Sequence, residues 1–101
     1  MQSSIKFDNI EWRQLNEFAE EKRVTLGETS MRLLRLAPGF EEVDWCTRGH
    51  VGYVIEGVLL IQFDQHTETY TSGDGLHIDY GVPHRALKLK QKTVLFIVDE
   101  N

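Results

Sequence analysis

Six side chains carry most of the chemistry this sequence can offer: His50, His66, His77 and His84, the single cysteine Cys46, and Asp44 two residues before it. Imidazole, thiolate and carboxylate are the donors that bind borderline-soft divalent ions and move protons near neutral pH. Spacing separates the six. His66 ends the turn-like run Asp64-Gln65-His66, which predicts a surface position. His77 alternates with Leu76 and Ile78, so it points away from the face those two occupy, toward a structural or interface role. Asp44 and Cys46 are two apart in an extended-looking run and so share a face. His50 opens the run Val51-Gly52-Tyr53-Val54-Ile55-Glu56-Gly57, and His84 follows the tight turn Gly81-Val82-Pro83.

If one interior face gathers Asp44, Cys46, His50 and His84, they could bind a divalent ion tetrahedrally. Zn(II) is the first choice for such a set, with Fe(II), Ni(II), Mn(II) and Cu as alternatives. Two negative ligands there would be neutralised by a divalent cation. The competing reading is plainer: Cys46 as a small apolar filler, Asp44 at a rim, and each imidazole satisfying backbone groups. A Cys46–His50 nucleophile and base is a third option. Four residues of extended strand span about 13 Å, too far unless Thr47-Arg48-Gly49 folds the chain back. Trp45 and Tyr80 flank the mouth of such an interior and could stack on a ligand ring, while Val54 points inward with His50.

The elements that must position these residues fall into two textures. From Asn9 to Arg23, apolar Ile10, Trp12, Leu15, Phe18 and Ala19 recur at three- and four-residue steps, which predicts a short amphipathic helix that Trp12 fits poorly. From Thr29 onward the apolar runs are short and broken by Gly, Pro, Asp and Ser. They predict strands at Met31–Leu36, Glu42–Cys46, Val51–Glu56, Val58–Phe63, Thr67–Thr71, Leu76–Ile78, Arg85–Leu89 and Thr93–Asp99. Short strands punctuated in this way indicate an all-β antiparallel sandwich or barrel. Along Val51–Glu56, Val51, Tyr53 and Ile55 form an apolar row on the face opposite His50, Gly52 and Val54. Arg85, Lys88, Lys90 and Lys92 crowd one strand and the turn after it, as a solvated edge would.

Composition bounds the function. The chain has 101 residues, 11 Lys+Arg against 16 Asp+Glu, and a formal net charge of −5. That length predicts one domain: an N-terminal extension over 1–28 and a β-barrel over 29–101. Hydrophobic residues at 41% and charged residues at 27% exclude the profile of a disordered chain. Net negative charge argues against nucleic acid or an anionic membrane as partner. The longest apolar runs, Val58–Ile61 and Val94–Val98, are far short of the roughly 20 residues a membrane-spanning helix needs. A single cysteine and no signal-like N-terminus predict a cytoplasmic protein.

Two stretches carry a family resemblance. Tyr53-Val54-Ile55-Glu56-Gly57 is similar to the end of the first motif of the cupin superfamily, written G-x5-H-x-H-x3-4-E-x6-G. Gly73-Asp74 together with Gly81-Val82-Pro83-His84 is similar to the second, written G-x5-P-x-G-x2-H-x3-N, and Leu36-Ala37-Pro38-Gly39 resembles the strand and turn before the first. The resemblance runs from about Met31 to Val98. It implies a small single-domain cupin: an antiparallel β-barrel or jelly roll, often paired as a dimer through sheet surfaces.

The departures are equally specific. Counting back from Gly57, the family's glutamate falls on His50 and its two histidines on Cys46 and Asp44. Asp79 stands at the second motif's proline and Lys88 at its asparagine, so His84 alone keeps its ligand type. Three functions remain open: a metal-dependent cupin acting on or sensing a small molecule, a metal-free binding module, and a structural or regulatory homodimer through Val51, Tyr53 and Ile55. Cupins host isomerases, dioxygenases, decarboxylases, sugar-binding regulators and storage proteins, so the resemblance does not choose a reaction.

Overall fold

The computed structural model describes residues 3–100. After a 3-10 turn at Phe7–Asn9 come nine strands: β1 (Arg13–Asn16), β2 (Ala19–Leu26), β3 (Thr29–Leu36), β4 (His50–Glu56), β5 (Val58–Phe63), β6 (Thr67–Thr71), β7 (Gly75–Ile78), β8 (His84–Ala86) and β9 (Thr93–Glu100). They form two antiparallel sheets, one of six strands in the order β1-β2-β3-β9-β4-β7 and one of three in the order β6-β5-β8. The sheets are not closed into the expected barrel; each hydrogen-bonded ladder ends at its own edges, and side chains join the layers. No helix among the described residues is long and apolar enough to cross a membrane.

Alternation builds the core. On β9, Leu95 and Ile97 point inward beside Leu36 of β3 and Val54 of β4, and they meet Leu59, Ile61 and Ala86 from the smaller sheet. Gly57 turns β4 into β5 at a φ of +93°, where a Cβ would collide with the Lys92 carbonyl oxygen.

The helix expected over Asn9–Arg23 does not form. Asn16 Oδ1 accepts the Phe18 amide at 2.8 Å, and the chain reverses there into β2. Residues Ala19 to Leu26 then pair one for one with β3, from Ala19↔Leu36 to Leu26↔Thr29. Eight residues of ladder outweigh a helical spacing that Trp12 already broke. Trp12 instead lies beneath the charged ends of Lys22 and Arg35. The 1–28 extension therefore supplies the strands β1 and β2, and among the described residues no helix covers the row Val51, Tyr53 and Ile55, each about half exposed. The homodimer expected through that row stays a proposal.

The strand expected over Glu42–Cys46 is also absent, for a geometric reason. Glu42 and Cys46 are both tied to β8, Glu42 at Ala86 and Cys46 at His84. Four residue steps on one side must match two on the other, so Val43-Asp44-Trp45 bulges outward. Val43 is 74% and Trp45 45% exposed, and Asp44 is exposed between them. Only Cys46 keeps a ladder position.

Candidate metal and ligand site

His84 is placed by three separate constraints. It pairs with Phe63 across β5 and β8. It exchanges both backbone hydrogen bonds with Cys46, at 2.8 and 2.9 Å, as directly opposed antiparallel residues do. The Asp79–Val82 turn leads into it, with the Gly81 amide donating to Thr47 O at 2.8 Å. Alternation on β8 then sends His84 and Ala86 inward and Arg85 outward to Gln62, Val43 O and the Trp45 ring.

The segment between Cys46 and His50 folds back, which an extended strand could not do. Gly49 makes this possible: a Cβ there would press on Tyr80 N at 2.9 Å and Ile78 O at 3.0 Å. One ligating atom from each of Cys46, His50 and His84 consequently lies within 4.8 Å of the other two. The two imidazoles meet edge to face with ring centroids 5.3 Å apart. Of the four donors that the sequence places on one face, three thus converge, and Asp44 does not, because its bulge carries it to solvent.

The second nitrogen of each imidazole is already committed. His84 Nδ1 lies 2.9 Å from Val82 O, and since a carbonyl can only accept, Nδ1 carries the proton. In the neutral imidazole the lone pair is then on His84 Nε2. Among the described residues it is the buried side-chain polar atom left with no hydrogen-bond partner. His50 Nδ1 lies 3.2 Å from Asp99 Oδ1, which leaves its Nε2 for the interior.

Asp99 is itself held. Arg32 Nε donates to Asp99 Oδ2 at 2.7 Å, and Arg32 Nη1 lies 3.4 Å from Glu21 Oε2. Glu21 also accepts from Arg13 and Arg23 at 2.9 and 3.2 Å. Burial pushes the Asp99 carboxyl upward, but the His50 hydrogen bond and the Arg32 charge outweigh it and hold the group below its ordinary value. Glu21 behaves in the same way: burial raises it, and the charge and hydrogen bond of Arg23, with Arg13 and Arg32, bring it down. Both carboxylates are ionised acceptors, so His50 Nδ1 is the donor to Asp99.

Beside Cys46 and His50 opens a cavity of about 300 Å³ between the sheets. Its walls include Leu34, Leu36, Leu59, Ile61, Leu95 and Ile97, and Arg32, Glu42 and Arg48 add charge. Val54 is fully buried in the core and is not part of this lining. Tyr80 is 85% exposed in the Asp79–Val82 turn and borders an outer groove with Arg48 and His77, while Trp45 packs on Arg85 outside the cavity. His66 and His77 lie at the surface, paired with Glu68 and Asp79.

Sequence reasoning missed Asp99, Arg32, Glu21, Glu42 and Arg48. One signal was available: Asp99 shares the inward parity of Thr93, Leu95 and Ile97, so a charge interrupts an apolar face.

No family model matches the chain, and no curated protein does. Solved structures do match. A polyketide cyclase, RemF from Streptomyces resistomycificus, superposes with a TM-score of 0.83 at 16% identity, covering 99% of this chain and 80% of that one. An RmlC-like cupin from Shewanella frigidimarina gives 0.81 at 17% identity, over 99% of this chain and 91% of the other. A cupin-2 domain protein from the same organism gives 0.70 at 21% identity, over 86% and 85%. Identities this low carry a likeness of fold.

Proposed function

The chain has the cupin fold, and we propose that on it Cys46, His50 and His84 hold one divalent metal ion beside a cavity that takes a small molecule. The observation that carries this reading is His84 Nε2: buried, without a hydrogen-bond partner, and grouped with a sulfur and a second imidazole. A buried acceptor left unpaired costs about 1–3 kcal/mol, and a metal ion would remove that penalty.

The donor set fits the group. One thiolate and two imidazoles suit Zn(II), with Fe(II), Ni(II), Mn(II) and Cu as alternatives. Three protein ligands leave a coordination position free for a bound molecule, and a metal in such a site supplies Lewis acidity when bound. The chain's own residues do the rest. Asp99 keeps the His50 proton on Nδ1, and Val82 O does the same for His84, so both Nε2 atoms stay available.

Elemental analysis of untagged protein tests this, as purified and after anaerobic loading with Zn(II), Fe(II), Ni(II), Mn(II) and Cu(I). About one metal per chain is expected, lost in the Cys46→Ser, His84→Ala double variant. No metal under any loading condition would overturn the metal reading and leave a metal-free binding module on the same cavity.

A further inference from the structure

The cavity's charged lining is unevenly committed. Arg32 is engaged by Asp99 and Glu21. Glu42 Oε1 accepts the Ala86 amide at 2.9 Å. Arg48 is exposed at the rim, two residues from both Cys46 and His50, and no hydrogen bond or ion pair joins its guanidinium to the described residues. Deeper walls are apolar, with Leu36, Leu59, Ile61 and Leu95. At about 300 Å³ the space lies at the small end of sites that hold small molecules.

We propose that the cavity takes a small monocarboxylate, its apolar body against the inner walls and its carboxylate on Arg48. The idea rests on the reading that the cavity holds a small molecule and does not need the metal. A guanidinium presents a planar fork of donors that matches a carboxylate in two parallel hydrogen bonds. Among the described residues that line the cavity, Arg48 is the arginine with no carboxylate partner, so it can receive one carboxylate, whereas a phosphate dianion would bring a second charge with no second free arginine. A neutral ligand of the same body would fill the walls and leave Arg48 to water.

Phenylacetate, 2-phenylethanol and 2-phenylethylamine form a matched set of probes, measured by calorimetric titration on zinc-loaded and on chelator-stripped protein. Phenylacetate is expected to bind about tenfold or more tightly than the alcohol in both forms, with the amine weakest. Arg48→Gln should bring the acid down to the alcohol's affinity, leave the alcohol and the metal content unchanged, and keep the melting temperature. Arg48→Lys should recover part of the preference. Equal binding of acid and alcohol, or a preference that survives Arg48→Gln, overturns the proposal and spares the cavity reading. A preference present only with zinc also overturns it, since the metal would then be the anchor. Failure of all three probes at millimolar concentration overturns both the proposal and the cavity reading.

Discussion

The inner face of the six-stranded sheet has two ends built from the same strands and unlike in every other respect. At one end Ala19 lies opposite Leu36, and on the next inward rung Leu95 lies opposite Leu34 and Val54, all part of or packed against the core. From Glu21, on that second rung, an ionic chain runs through Arg32 and Asp99 to His50 at the other end, with links of 3.4, 2.7 and 3.2 Å. Buried ion pairs seldom stabilise a fold more than apolar packing of the same volume would. The polar end is therefore explained by what it holds in place, and what it ends on is His50. The apolar end carries the stability, and the two should separate on mutation.

The largest effect is expected at the apolar end. Leu36 is 2% exposed, and Leu36→Ala removes its packing from both sheets. The cost should be about 2–5 kcal/mol in urea unfolding, with metal stoichiometry kept. A variant that unfolds at ordinary stability but no longer takes up metal would erase the division between the two ends.

Asp99→Asn is the converse. It keeps the side chain's shape and removes the charge that orients His50. Metal affinity should fall about 10–100-fold, the usual cost of losing an outer partner of a ligating histidine. Competition with a chromophoric chelator reads that fall. A loss of stability as large as that of Leu36→Ala, with unchanged affinity, would make Asp99 a packing residue.

How much of this was legible in the sequence follows the same line. The apolar end was: Leu36, Val54, Leu95 and Ile97 lie in runs whose alternation and turn residues predicted strands, and the motif around Gly73–His84 pointed to the right fold. Cys46, His50 and His84 were found as donors because their types are rare and their neighbours distinctive. Asp44 was misplaced because a rule of alternation holds only inside a ladder, and the bulge between Glu42 and Cys46 exists only once β8 is paired. β2 was hidden because Glu20, Glu21, Lys22 and Arg23 read as the solvated side of a helix. Glu21 and Lys22 are in fact buried, Glu21 held by Arg23 two residues along and by Arg13 and Arg32 on the neighbouring strands, Lys22 by the distant Phe7 O. No local pattern announces such partners.

The smallest effect tests the ionic chain by pH. Glu21 faces Arg13, Arg23 and Arg32, and its carboxyl is held below the ordinary 4.5. A depressed folded-state value means that the unfolded chain takes up the proton first as pH falls. The stabilisation is therefore complete above about pH 4.5 and is lost as pH drops through the lower, folded value. Glu21→Gln cannot titrate, so its urea midpoint should change less with pH below 4.5 than the wild type's, although it starts lower because Arg32 has lost a charged partner. Leu36→Ala should keep the wild-type slope while starting lower still. Parallel slopes in wild type and Glu21→Gln would mean that the three arginines do not stabilise the charged form, and the chain leading to His50 would then begin at Arg32.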